Sequence, residues 1–242
     1  MNRIARLACF SAVSCALFAC STDSSSGRPT NQIQPNFSVT VDTASPGSTY
    51  IGAILGEPGD GDFDNVQLSG GDTLIAKTDK DASIALPYDS TLQAYSTTLE
   101  KVIDRKTVTF VLTRANGGSA PNSTVTLPDA VAVTSPAANA KVSAASGNVQ
   151  IAWSNPLATG KMQYVAYPCG SAATTTNTES SSDTGSFSFP VSSIISGAPT
   201  AAGQCITIQI NRQVPGTFDP AFDQGGTFSA DRFDYVNFLL TP

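Results

Sequence analysis

VTSPAANAKVSAASGNVQIAWSNP, residues 133–156, ends in a short stretch where Val149, Ile151 and Trp153 alternate with Gln150 and Ala152. Side chains two apart on an extended backbone share a face, so this alternation marks a strand with one buried side. It also places the only tryptophan of the chain in a core. Before it, an extended segment ends at Ser135-Pro136 and a turn follows.

The same period runs outward in both directions. Phe37, Val39 and Val41 alternate with Ser38 and Thr40; Val108, Phe110 and Leu112 alternate with Thr107, Thr109 and Val111; Val125 and Leu127 alternate with Thr124 and Thr126. Turn-forming clusters separate the segments: Ser45-Pro46-Gly47, Pro58-Gly59-Asp60-Gly61, Ser69-Gly70-Gly71-Asp72, Asn116-Gly117-Gly118 and Pro121-Asn122. The fold class is all-β, built as sandwiches. In STLQAYSTTLEKVIDRK, residues 90–106, Leu92, Tyr95, Leu99, Val102 and Ile103 fall at helical offsets and Ser90 could cap a helix. A strand through Leu99 and a charged turn over residues 100–106 fits better, because residues 108–114 would then close a hairpin.

A single sandwich takes about 100 residues, and this chain has 242. Two domains are the natural division, 36–128 and 129–242, with the boundary near Pro128 where a proline and Asp129 precede a new strand. The stretch at 133–156 resembles the opening of fibronectin type III and immunoglobulin-like domains of bacterial surface proteins. That resemblance implies strand C at 162–167, E at 187–189, F at 205–211 and G at 233–240. C and F would be neighbours in one sheet, with Cys169 and Cys205 at adjacent ends and a Ser/Thr-rich loop over residues 172–184 beside them.

The N-terminus carries Arg3 and Arg6 and then a mostly apolar run over residues 7–19. This is the layout of a secretory signal peptide, and the run is shorter than the roughly 20 residues of a membrane span. Leu17-Phe18-Ala19-Cys20 resembles the lipobox of bacterial lipoproteins. By that resemblance residues 1–19 are a lipoprotein signal peptide, and Cys20 becomes the first mature residue, carrying a diacylglycerol and a further acyl chain. Ser21 after the cysteine points to the outer membrane of a Gram-negative cell. One acyl chain holds a protein only marginally, so a soluble domain needs two or three. The alternative is an ordinary signal peptide with Cys20 unmodified. Residues 20–35 are rich in Ser, Thr, Asn, Gln and Pro and read as a disordered tether, spacing the body by about 20 Å.

Cys9, Cys15 and Cys20 lie in the signal segment, which leaves Cys169 and Cys205. Two remaining thiols in an oxidising compartment pair, and closing a loop of that length contributes at most about 4 kcal/mol in the chain-entropy account. A metal or redox role fits poorly, since the chain has no histidine and no C-x-x-C.

Charged residues are only 13% of the chain, against about 25% in an average soluble domain, and the net charge is −6. Removing Arg3 and Arg6 makes it more negative by two. With no basic patch, nucleic acid is not a partner. The absence of histidine removes the usual catalytic base, and no G-x-S-x-G, S-x-x-K, P-loop or G-x-G-x-x-G motif is present. Carboxylates remain. Asp219, Asp223, Asp231 and Asp234 interleave with Phe218, Phe222, Phe228 and Phe233 over residues 218–234. Paired acids hydrolyse glycosides when held at the right separation and rings stack on sugars, so a carbohydrate-binding or carbohydrate-active role is one alternative. The other is a solvated hairpin loop whose rings fold onto the core. Asp60, Asp62 and Asp64 place hard oxygens at alternate positions, like the first half of a calcium loop. Asn65 and Gly71 stand where an EF-hand needs Gly and Glu, so a plain acidic turn is the competing reading. No other cofactor is implied. The expectation is a non-enzymatic lipoprotein, periplasmic or surface facing, whose lipid anchor binds the membrane and whose two immunoglobulin-like sandwiches present loops to a protein or glycan ligand.

Overall fold

Alternating segments become strands throughout the computed structural model, which describes residues 23–43, 47–58, 64–81, 83–103, 107–116, 118–157, 161–170 and 182–242, with the backbone alone of 176–180. The first half contains β1 (Asp23–Ser24), β2 (Gln34–Asp42), β3 (Ser48–Gly56), β4 (Val66–Gln67), β5 (Thr73–Lys77), β6 (Ile84–Ala85), β7 (Tyr88–Asp89), β8 (Ala94–Leu99), β9 (Thr107–Thr113) and β10 (Ala120–Thr126). The second half contains β11 (Val133–Ser135), β12 (Lys141–Ser143), β13 (Asn148–Trp153), β14 (Lys161–Pro168), β15 (Thr176–Ser180), β16 (Ser186–Pro190), the one-turn helix α1 (Val191–Ile194), β17 (Gln204–Pro215) and β18 (Thr227–Thr241).

The fold is all-β and forms two sandwiches that share one sheet. That sheet has nine strands, in the order β15-β14-β17-β18-β2-β3-β8-β7 with β12 also against β18. The β10-β9-β5-β6 sheet covers one end and the β11-β13-β16 sheet covers the other. In the second sandwich β11, β13 and β16 take the places of strands A, B and E, while β14, β17 and β18 take those of C, F and G. β11 pairs with β13 and β12 with β18, so the chain changes sheets between them.

β18 joins the two halves. Along one side it pairs antiparallel with β17, from Gln204↔Leu240 to Pro215↔Ser229. On the other side its first part, Thr227 to Phe233, runs parallel to β2, and its last part, Leu239 to Thr241, runs beside β12. Its inward residues therefore enter two cores. Phe228 and Ala230 lie in the first, and Val236, Phe238 and Leu240 in the second. In the first core Phe37 stacks on Phe110 with ring centroids 4.3 Å apart, and Phe228 stands edge-on to both at 5.3 and 5.5 Å. Phe222 meets Phe37 edge-on at 5.7 Å. The second core gathers Trp153, Tyr164, Phe187 and Phe189, with Trp153 buried as expected.

Between the cores two arginines occupy inward positions directly opposite each other, Arg212 on β17 and Arg232 on β18, both fully buried. Facing like charges repel and burying them is costly unless every donor finds an acceptor. Arg212 donates from Nε to Asp183 Oδ2 at 2.8 Å, from Nη1 to the Asp129 carbonyl at 3.0 Å and from Nη2 to the Asn155 carbonyl at 2.6 Å. Arg232 donates from Nη1 to the Pro128 carbonyl at 3.1 Å. Asp183 also accepts from Trp153 Nε1 at 2.7 Å and from the Leu157 amide at 3.0 Å. The interdomain residues Pro128 and Asp129 are thus pinned from both strands of the hairpin.

Five expectations need correcting. The division at residue 128 does not separate the sandwiches, because β18 and residues 218–222 complete the first one. Strands F and G continue past the arginines, to Pro215 and back to Thr227. β8 is a strand but forms no hairpin with β9: it pairs with β3 and β7, while β9 pairs with β5 and β10. Thr49 Oγ1 accepts from the Ile103 amide and donates to the Lys101 carbonyl, steering the chain from one sheet toward the other. Within the expected Ser/Thr-rich loop, residues 176–180 form the edge strand β15 against β14.

The fifth is the tether. From Asp23 onward this segment is folded: Asp23 pairs with Val66, and Ser25, Thr30 and Ile33 are buried. Arg114 holds it by donating from Nη2 to the carbonyls of Ser25 at 2.7 Å and Arg28 at 2.8 Å, and from Nη1 to Thr30 Oγ1 at 3.1 Å. Its Nε lies 2.6 Å from Asp72 Oδ2, off the line of a hydrogen bond, and the contact is an ion pair in a desolvated site.

Candidate functional site

The nine-stranded sheet has one face against the two cores and one face turned outward. Strand alternation sorts its residues. On β17, Ile206, Ile208, Ile210 and Arg212 point in, so Thr207, Gln209, Asn211 and Gln213 point out. On β18 the outward set is Ser229, Asp231, Phe233, Tyr235 and Asn237, and on β14 it is Lys161, Gln163, Val165 and Tyr167. Register then brings them together: Gln163 opposite Asn211, Lys161 and Asp231 on either side of Gln213, Phe233 opposite Asn211, and Tyr235 opposite Gln209. The result is a field of amides beside two rings.

Asp231 organises this field. Its Oδ1 accepts from Asn211 Nδ2 at 3.3 Å and from Gln213 Nε2 at 3.0 Å, and its Oδ2 accepts from Ser229 Oγ at 3.0 Å. Burial pushes the Asp231 carboxyl above the usual carboxylate range, while the hydrogen bonds from Ser229, Gln213 and Asn211 pull it back in part. Next to it lies a hollow of about 30 Å³ lined by Lys161, Met162, Gln163, Asn211 and Gln213. Asn211 Oδ1 is buried and accepts no hydrogen bond from the described residues. Further along the face, the Tyr50 ring lies on Gly52, where a Cβ would meet Tyr50 Cε1 at 2.6 Å.

The residues singled out in the sequence fall in different places. Phe222 and Phe228 are core residues and Phe218 packs against them, so of the aromatic residues in 218–234 only Phe233 belongs to the outer face. The four carboxylates share no partner and are tied down in four separate places. Asp219 is buried and accepts from the amides of Asn122 and Ala221, both at 2.9 Å. Asp223 accepts from the Gly225 amide at 2.8 Å, Asp234 from the Val133 amide at 2.7 Å, and Asp231 from the outer-face amides. Cys169 and Cys205 are disulfide-bonded, with Cα atoms 5.3 Å apart where β14 and β17 meet. Cys20, Asp60 and Asp62 lie outside the described residues; the Asp64 carbonyl accepts from the Glu57 amide at 3.0 Å. Nearby, Arg28 bridges Asp23 and Glu57, and the Glu57 carboxyl is raised first by its hydrogen bond with Asp23 and then by burial.

No family model and no curated protein matches this chain. A solved structure, the I-band fragment I67-I69 from titin, is similar at 11% sequence identity with a TM-score of 0.25, over 86% of this chain and 65% of the fragment.

The amide field was not singled out in the sequence. Its signal is present there as Thr207, Gln209, Asn211 and Gln213 at alternate positions. That row stands out only once both strands are known to run past Arg212 and Arg232.

Proposed function

We propose that the chain is a non-enzymatic lipoprotein of the outer membrane, a double β-sandwich fastened to the bilayer through acyl groups on Cys20. The single observation that carries this reading is the lipobox-like run that ends in Cys20, a few residues before Asp23, which pairs with Val66 of the first sandwich. The lipobox-like Leu17-Phe18-Ala19-Cys20 supplies the acylation signal, and Ser21 and Thr22 leave a reach of about 10 Å from Cys20 to Asp23 at full extension. The body is held close to the headgroups. The disulfide Cys169–Cys205 suits the same oxidising compartment.

Cys20→Ser tests the reading. The variant is expected in the soluble fraction after cell lysis, whereas the parent remains in the envelope and carries diacylglycerol on its first mature residue by mass spectrometry. Retention of the variant in the envelope, or an unacylated parent, overturns it.

A further inference from the structure

We propose that the outer face of the shared sheet around Asn211, Gln213 and Tyr235 binds a neutral glycan. This site differs from the residue 218–234 loop as a whole and is independent of how the chain is anchored.

The face holds a buried acceptor without a donor among the described residues. Asn211 Oδ1 is shielded from solvent and accepts nothing from the described residues, which leaves a desolvation cost unless some other donor meets it. Asn211 borders a hollow of about 30 Å³, the space of one hydroxyl or one water. A carboxylate oxygen accepts and does not donate, so Asp231 fixes how its neighbours point. The NH₂ groups of Asn211 and Gln213 turn toward Asp231 Oδ1, which leaves both amide oxygens for another donor. Gln163 and Lys161, whose side chains carry donors, line the same hollow. A sugar hydroxyl both donates and accepts, and so fits a hollow that offers both.

Beside the hollow, the rings complete the chemistry. Phe233 lies opposite Asn211 and Tyr235 opposite Gln209, and Tyr235 is 37% exposed. Aromatic rings flanked by amides match a pyranose, with an apolar C–H face and a rim of hydroxyls. Charge then selects among polymers. The face offers Lys161 and a hydrogen-bonded Asp231 on a chain of net charge −6, which repels anionic chains.

Affinity electrophoresis of the full chain in gels containing a neutral glucan, mannan, galactan or xylan, with alginate as the anionic control, tests the proposal. Retardation is expected in at least one neutral gel and not in alginate. Asn211→Ala and Tyr235→Ala should each weaken it about tenfold, the size of one hydrogen bond or ring contact. Tyr235 is exposed, so Tyr235→Ala should keep its melting temperature within about 3 °C, and this variant decides the matter if Asn211→Ala folds poorly. Unretarded migration in every neutral gel, retardation in alginate alone, or full binding by Tyr235→Ala overturns the assignment.

Discussion

Asp231 is a carboxylate whose surroundings favour its neutral form, because burial raises its folded-state value above the ordinary one near 3.8. With the folded value above the unfolded one, the protonated group's contribution is fully present below the unfolded value and is lost as pH rises through the folded one. Asp231→Asn keeps the side chain neutral at every pH. Its Oδ1 can still accept from Asn211 and Gln213, and its new NH₂ can donate to Ser229. In urea titrations the variant is expected to be more stable than the parent at pH 7, with the gap closing as pH falls below 3.8. A gap that widens toward acid would refute this account of Asp231. At the same scale, Arg212 explains a limit of sequence reading. It interrupts the inward row Ile206, Ile208, Ile210 with a charge, and a charge on a buried face is the ordinary sign that a strand has ended. Here the guanidinium is satisfied by Asp183, Asp129 and Asn155, which are distant in sequence, so the strand continues.

Among the elements, the strands themselves were legible and their partners were not. Alternation located β2, β9, β10 and β13 from single runs of residues, the C and F neighbours followed from the resemblance, and their disulfide from the two cysteines left outside the signal segment. Pairing depends on contacts between residues far apart in sequence. β8 and β9 are consecutive yet lie in different sheets, and the parallel pairing of β18 with β2 has no local signature at all. The N-terminal segment was misread for the same reason. Its composition is that of a disordered tether, but Arg114, more than 80 residues away, supplies the hydrogen bonds that order it. The best check on the β18 assignment is Phe228, encoded in the second half and 6% exposed between Phe37 and Phe110 of the first. Phe228→Ala is expected to cost about 3–5 kcal/mol in denaturant unfolding, as for a buried aromatic. An exposed loop phenylalanine would cost under about 1 kcal/mol.

Taken whole, the molecule has two cores and one shared sheet, with an arginine pair between them that grips the linker. A chain that stops at residue 128 lacks Phe222, Phe228 and the parallel partner of β2. Such a fragment is expected to show no cooperative unfolding by circular dichroism, whereas the full chain should melt in one calorimetric transition with no separable step for either half. Two resolved transitions, or a folded fragment, would mean that the sandwiches stand alone. The pairing of β2 with β18 also sets an order of events. A ribosome releases β2 long before residues 227–233, so until those emerge one side of β2 is an open edge of the kind that recruits other chains. Completion of the first sandwich therefore waits on β18, and a nascent chain stalled anywhere between the two strands is an aggregation hazard however much of its sequence has already emerged.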